Sequence, residues 1–401
     1  MDMQEITQIS QDVPEILGIH TSDRIAFKRC KRKWYFSSPL RLHLSAKGNV
    51  STPLWFGTGF HFALEDFHGF RLWPTPGDAF AAYAHACLDD ERPYDSEELI
   101  ILASEMFEHY TDWCGMFHDF NTYIPEYDNI ARLSCEVDFV IDLPELKEYN
   151  INAQYLGTLD GIFIGTDGLY WIAEYKTAAM FDIVKLATDD QVTAYLWALG
   201  KCFPVEQIGG MVYRQFKKKA PVPPTILQNG ELSQNKTQKT TYFKYHRMLQ
   251  EIHPDKSLSS LMFAYQDILR HLGSKEGITG DDFLSQQLVR RSPHSLWSQH
   301  QKILVDSLEM ITAPNAFRTT NPTRDCAWDC PYRELCLAMD EGLDIQALIE
   351  QNYGKHSECS ELWKTRLKIP ESAAKRDYNL ANDVGKTWKT FKDERQLIIR
   401  G

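Results

Sequence analysis

The sequence contains no run approaching the ~18 to 20 apolar residues of a membrane-spanning helix, so no membrane span is expected. No fixed-period repeat is visible, which argues against a solenoid or propeller. Glycine (22) and proline (18) are too scarce for a collagenous or low-complexity chain. The opening MDMQEITQIS lacks a basic start and an apolar core, so it does not read as a secretory signal. A cytoplasmic, reducing location is therefore expected, and the nine cysteines argue for metal or redox chemistry before disulfides. Positive charge is also short: 43 Lys+Arg face 55 Asp+Glu, a net charge of -12. That balance opposes indiscriminate attraction to nucleic acid or to an anionic membrane. It leaves room for local basic clusters and for carboxylates gathered in a site.

What is present is an ordinary globular composition, 43% hydrophobic and 24% charged over 401 residues. At about 150 residues per domain this means two or three domains, or one large domain with insertions. Residues 1–20 read as a loose arm. Thr21, Ser22 or Asp23 offers an N-cap ahead of a short basic helix. Residues 57–70 and 76–120 have helical spacing. The pattern changes near 131, where ARLSCEVDFVIDL, QYLGTLDGIFIG and LYWIAEYKTA alternate like strands. A helix at about 189–200 and a strand at 209–216 complete a compact α/β core over 131–220. Residues 1–130 form an N-terminal helical region. Residues 221–340 are mostly helical, with an extended break near 280–292, and end in a cysteine cluster. Residues 341–401 are a polar extension with helices and a tail.

The most informative stretch is Gly157-Thr158-Leu159-Asp160-Gly161 followed by Ala173-Glu174-Tyr175-Lys176-Thr177. Asp160 and Glu174 lie seven residues either side of Asp167, the middle of a Thr166-Asp167-Gly168 turn. A three-residue loop without a bulge would set the two carboxylates opposite one another. Cβ atoms of opposed residues are about 4.5–5.5 Å apart, and like charges there destabilise the ladder. A divalent cation between them reverses that sign, and hard cations such as Mg²⁺ use one or two carboxylates. Lys176 shares the Glu174 face of the strand, where an ammonium can orient or deprotonate a water and offset charge on a phosphorane-like transition state. The plain alternative is a solvated amphipathic face. Apolar flanks (Ile162, Phe163, Ile164; Trp171, Ile172, Ala173) argue instead for a buried strand, where a carboxylate needs a partner.

Gln191 and Tyr195 are four apart at the start of the next helix and share a face. Gln191 reads equally well as half of a capping box with Thr188. His61 and Glu65 stand one turn apart in GTGFHFALE; a lone helical histidine is more often packed in a core than a ligand. Cys326, Cys330 and Cys336 fall within eleven residues, and Cys30 sits in the basic, aromatic segment Phe27 to Phe36. Three clustered thiolates plus a distant one suit an iron–sulfur cluster or a zinc site. Zinc ribbons usually carry two CxxC knuckles, which this chain lacks. A ligand at Cys30 would close a loop around nearly the whole chain and act structurally first.

Taken in order, Cys30, His61, Asp160, Glu174-Tyr175-Lys176, Gln191-x-x-x-Tyr195 and Cys326/Cys330/Cys336 resemble the iron–sulfur PD-(D/E)XK nucleases. These are RecB-like exonucleases, among them the AddB nuclease domain, the CRISPR-associated adaptation nuclease and many phage-encoded exonucleases. The resemblance spans roughly residues 20–340. It implies a restriction-endonuclease-like α/β core, a central mixed sheet flanked by helices, with helical insertions and a [4Fe–4S] clamp. It further implies that His61, Asp160, Glu174 and the Tyr175 carbonyl bind Mg²⁺ or Mn²⁺, and that Lys176 positions the attacking water. Gln191 and Tyr195 would lie beside the scissile phosphate. Cys30, Cys326, Cys330 and Cys336 would hold the cluster, although the last three are spaced x3 and x5 where many relatives use x2 and x5.

DNA, as single strands or duplex ends, is then the expected substrate, with a recombination protein as a possible partner. Lys28, Arg29, Lys31, Arg32 and Lys33 give five basic residues in six, able to contact phosphates. Lys217 to Lys219 and Arg290-Arg291 add two further patches. Trp34, Tyr35 and Phe36 are candidates to stack on unpaired bases. Solvated basic faces are the alternative. The expected activity is a metal-dependent exonuclease in phage or bacterial recombination, repair or genome processing. A catalytically inactive DNA-binding scaffold and an iron–sulfur redox protein are the rivals; retention of Asp160, Glu174 and Lys176 weighs against the first.

Overall fold

A computed structural model describes residues 16–47, 50–70, 72–117, 135–165, 167–313, 315–323, 326–327, 330–355, 362–367 and 379–380. Residues 1–15 of the expected arm, Thr166, Cys359 and the tail beyond 380 lie outside them.

The core is a mixed sheet in which β7 (Leu284–Val289), β6 (Ile208–Lys217), β5 (Tyr170–Ala178), β4 (Ala153–Ile164), β3 (Cys135–Asp142) and β9 (Asn379–Leu380) lie side by side, with β1 (Leu17–His20) also on β4. The β4–β5 hairpin turns where Gly168 adopts φ 74°, a conformation glycine takes without a steric penalty. Gly165 N donates to Leu169 O, which leaves the expected three-residue loop. Strand β6 returns parallel to β5, so the chain must cross over, and helix α6 (Asp190–Cys202) makes that crossover.

One edge of β4 is shared. Residues 153–156 pair with β1 in parallel, and residues 161–164 pair with β5. Among the described residues no strand covers 157–160 on that edge. The sheet therefore forks there, and Asp160 sits at the fork.

Two helical layers cover the sheet. Helix α1 (Thr21–Arg29), α2 (Lys31–Ser37), α6 and α10 (Pro293–Thr312) share a core with Ile172, Tyr195, Trp197 and Ile303. On the other face lie α3 (Thr52–Glu65), α4 (Pro76–Ala86) and α5 (Ser96–Phe117), around Phe60, Phe80, Phe107, Trp171 and Tyr175. Gly59 lets α3 lie tightly on α4, since a Cβ there would meet the Tyr83 ring at 2.4 Å. A third, smaller core gathers Tyr245, Leu249, Ile268 and Leu269 from α7 (Tyr242–Ile252) and α9 (Gln266–Gly273), joined in sequence by α8 (Leu258–Ala264).

One local expectation needs correction. Thr21 is the first residue of α1, not its cap; His20 holds that position, and Thr21 Oγ1 donates to Leu156 O. Among the described residues after 340, two contacts reach the body. Strand β8 (Tyr353–Lys355) pairs with β2 (Leu44–Ala46), and Trp363 packs edge-on against Phe62 and Tyr83.

Candidate active site

The register of the hairpin carries Asp160 towards Glu174. Gly161 pairs with Ala173, and the next opposed pair would be Asp160 with Glu174, but the strands splay before it forms. Asp160 Oδ2 instead accepts from Tyr175 N at 2.7 Å, so a side chain replaces the missing ladder bond. Glu174 is 1% exposed. One of its oxygens, Oε1, lies 2.6 Å from Lys176 Nζ. The other, Oε2, is buried without a hydrogen-bond partner. A buried carboxylate oxygen left this way is costly unless something positive completes it.

His61 reaches the fork from α3, with Nδ1 3.2 Å from Asp160 Oδ1. It lies against Asp160, with part of its side chain exposed, rather than inside an apolar core. Sequence reasoning missed Glu136 at the start of β3: its Oε1 is 3.8 Å from His61 Nδ1. Ligand atoms of His61, Glu136 and Asp160 all fall within 4.8 Å of one another. From the opposite layer, Gln191 Nε2 donates to Tyr195 OH at 2.9 Å. The capping alternative for Gln191 fails, because Asp189 is the cap and accepts from Val192 N. On β6, Tyr213 pairs with Glu174 and Gln215 with Lys176.

The electrostatics are those of a crowded acidic pocket. Burial, reinforced by the Asp160 charge, pushes the Glu174 carboxyl up to about 7, although Lys176 pulls the other way. Burial also works to raise Asp160, yet His61, Lys176 and the Tyr175 amide hold it below its ordinary value. For His61, burial disfavours the imidazolium, but Asp160 and Glu136 raise its pKa to about 10. Lys176 is likewise disfavoured by burial and raised by Glu174 and Asp160. The pocket's oxygen and imidazole donors form a group that could hold a divalent metal ion.

The four cysteines are less tightly gathered. Cys30, Cys326 and Cys330 line one cavity of about 30 Å³ with Arg29, Lys33, Asn321 and Thr323. Cys336 Sγ accepts from Arg32 Nη1 at 3.2 Å. Among the described residues no three cysteine sulfurs lie within 4.8 Å of one another.

The basic, aromatic segment is mostly turned inward, which corrects the DNA-contact expectation for several of its residues. Trp34 (0% exposed) packs against Phe27 beneath Arg41, and Tyr35 and Phe36 are buried too. None of the three rings is open to a base. Arg32 is buried and pairs with Asp340 at 2.7 Å. Lys28 pairs with Asp190 at 3.0 Å, and Lys31 pairs with Glu309. Arg29 and Lys33 border the cysteine cavity. Arg290 donates to Gly209 O and Arg291 to Thr193 Oγ1, so both brace the core.

The sequence profile of the PD-(D/E)XK nuclease superfamily matches residues 22–337. The chain belongs to that superfamily, whose members are metal-dependent nucleases. No curated protein matches the sequence. No helix among the described residues is long and apolar enough to cross a membrane.

Proposed function

We propose that this nuclease is a Mg²⁺- or Mn²⁺-dependent DNA exonuclease acting on single strands or duplex ends, in phage or bacterial recombination, repair or genome processing. A recombination protein is its natural partner class. The observation that carries the catalytic part is the unpartnered, buried Glu174 Oε2 beside Asp160, Lys176 and His61. The His61, Glu136 and Asp160 ligand atoms, all within 4.8 Å of one another, fit a divalent cation; Glu174 lies outside that group, close enough for the Asp160 charge to act on it. His61, Asp160, Glu174 and the Tyr175 carbonyl would hold the ion. When bound, such an ion lowers the pKa of a coordinated water and neutralises phosphate charge.

The protein groups supply the rest. Glu174 and Asp160 raise the Lys176 pKa against the effect of burial, and its ammonium is assigned to position the attacking water. Glu174 anchors that ammonium. Tyr195, linked to Gln191, borders Glu174 and Lys176 from α6 and offers a phenol whose pKa burial and the Glu174 charge keep raised.

A [4Fe–4S] cluster held by Cys30, Cys326, Cys330 and Cys336 is part of the proposal. It is supported by the three thiols that line one cavity and by the spacing of the fourth. Its role is to tie α2 to the segment before α11 (Arg333–Asp340).

The test uses anaerobically purified protein with end-labelled single- and double-stranded DNA and Mn²⁺. Mononucleotide or short products released from ends are expected, and Asp160→Ala, Glu174→Ala and Lys176→Ala should abolish them. Unchanged cleavage in all three variants ends the assignment. Firm DNA binding with no Mn²⁺-dependent degradation favours a non-catalytic scaffold instead.

A further inference from the structure

The ligands matched to the superfamily pattern are His61, Asp160, Glu174 and the Tyr175 carbonyl. The strand register adds a carboxylate outside that set. Cys135 pairs with Gly161 and Val137 with Leu159, so Glu136 lies across from Asp160 on the edge opposite the fork. Asp160 is thus flanked by Glu136 on β3 and by Glu174 on β5. Its two oxygens face different neighbours: Oδ1 lies 3.2 Å from His61 Nδ1, and Oδ2 accepts from Tyr175 N. Glu136 Oε1 approaches the same His61 nitrogen at 3.8 Å. The His61, Glu136 and Asp160 ligand atoms share a sphere narrow enough for one ion, all within 4.8 Å of each other.

Glu136 takes its place at φ 49°, in the left-handed region. Outside glycine that conformation is uncommon and persists where the surroundings enforce it. Its side chain is held in the site against two costs. One is the backbone conformation; the other is a like charge opposite Asp160 on a neighbouring strand.

We infer that Glu136 is a further ligand of the catalytic cation, contributed from β3 on the His61 side of Asp160. The inference rests on the metal-dependent nuclease reading and deepens it. A third carboxylate offsets more of the charge of a divalent ion and favours an oxygen-preferring cation over a thiophilic one. Its removal weakens the hold on the ion.

Titration calorimetry with Mn²⁺ alone, on wild type, Glu136→Gln, Glu136→Gly and Asp160→Asn, tests this without reference to cleavage. Glu136→Gln should weaken Mn²⁺ binding at least about tenfold, in the range typical when a supporting group of a metal site is lost. Glu136→Gly should weaken it as much, and in EDTA it should melt about 1 °C above Glu136→Gln, because only glycine relieves the backbone. A merely structural glutamate would leave the Mn²⁺ affinity of Glu136→Gln within about twofold of wild type. That result, with Asp160→Asn abolishing binding, overturns the inference and leaves the nuclease reading intact. Absence of Mn²⁺ binding in the wild type, or binding untouched by Asp160→Asn, overturns both.

Discussion

Replacing Lys176 by methionine separates the work of its charge from the packing of its stem. Lys176 Nζ lies 2.6 Å from Glu174 Oε1; the glutamate side chain is 1% exposed and the lysine 35%. Breaking a fully buried ion pair by removing one partner costs about 3–5 kcal/mol. Solvent screening of the half-exposed ammonium lowers that to about 2–3 kcal/mol. The cost depends on pH, with a sign set by Glu174. Its folded-state pKa of about 7 lies above the ordinary 4.5. Between those values the folded protein keeps a proton that the unfolded chain has released, so metal-free stability falls as pH rises through the window and levels off above it. Lys176 lowers the Glu174 pKa, so its loss widens the window upward. Lys176→Met should therefore be destabilised most near pH 8 and least near pH 4.5, where the folded carboxyl is protonated in variant and wild type alike. Mn²⁺ should recover the lost stability, since an ion at 100 times its Kd contributes about 2.7 kcal/mol. Cleavage should not recover, and should stay down about 10²–10³-fold for want of the oriented donor. Urea unfolding in EDTA and in Mn²⁺ at pH 5 and pH 8 reads all of this. Equal midpoints for variant and wild type at pH 8 in EDTA would refute the claim that Lys176 holds a buried charge.

Two further outcomes follow from contacts distant in sequence. Arg24 is fully buried and binds Asp190 Oδ2 at 2.5 Å and Asp306 Oδ2 at 2.7 Å, joining α1, α6 and α10. Arg24→Met should cost about 3–5 kcal/mol in urea unfolding at unchanged m-value, and adding Asp190→Asn with Asp306→Asn should restore most of it; a loss below about 1 kcal/mol in the single variant contradicts the clamp. Cys30→Ser should remove the broad visible absorbance of an iron–sulfur chromophore and lower the melting temperature. A colourless, iron-free wild type after anaerobic purification dismisses the cluster.

What the sequence made legible was local and periodic. A glycine-closed three-residue turn and the period of two fix how β4 faces β5, so the Asp160–Glu174 relation could be counted from Asp167. Gln191 and Tyr195 met because residues four apart share a helix face, and the hydrogen bond between them follows. Glu136 could not be counted in the same way. Strands β3 and β4 are joined through a 3₁₀ segment, Pro144–Tyr149, not a tight turn, so no loop length fixes their register. Its left-handed φ also departs from the alternation that locates strand residues. The basic segment misled for a related reason. Counting Lys28 to Lys33 shows the charges but not their partners, and Asp190, Glu309 and Asp340 stand some 160 to 310 residues further along the chain. Cations beside buried aromatics were holding the helices to one another.

The fork explains why these residues meet at this place and not elsewhere on the sheet. A continuous ladder spends every backbone donor and acceptor on its neighbours and sets adjacent side chains on alternate faces. Such a surface offers a carboxylate to one helical layer at a time. Where β1 leaves β4 and β5 has not yet joined it, residues 157–160 are released from that constraint on one edge. The Asp160 carboxylate can then satisfy Tyr175 N with one oxygen and face His61 with the other. Helix α3 delivers His61 from one layer and α6 delivers Gln191 and Tyr195 from the other. Closing the fork by extending the β4–β5 ladder would provide the Tyr175 amide with a backbone acceptor and take from Asp160 the bond that now orients it. The splay is thus a condition of the site: the sheet gives up ladder bonds at the one point where a side chain can replace them and still present an oxygen to a cation.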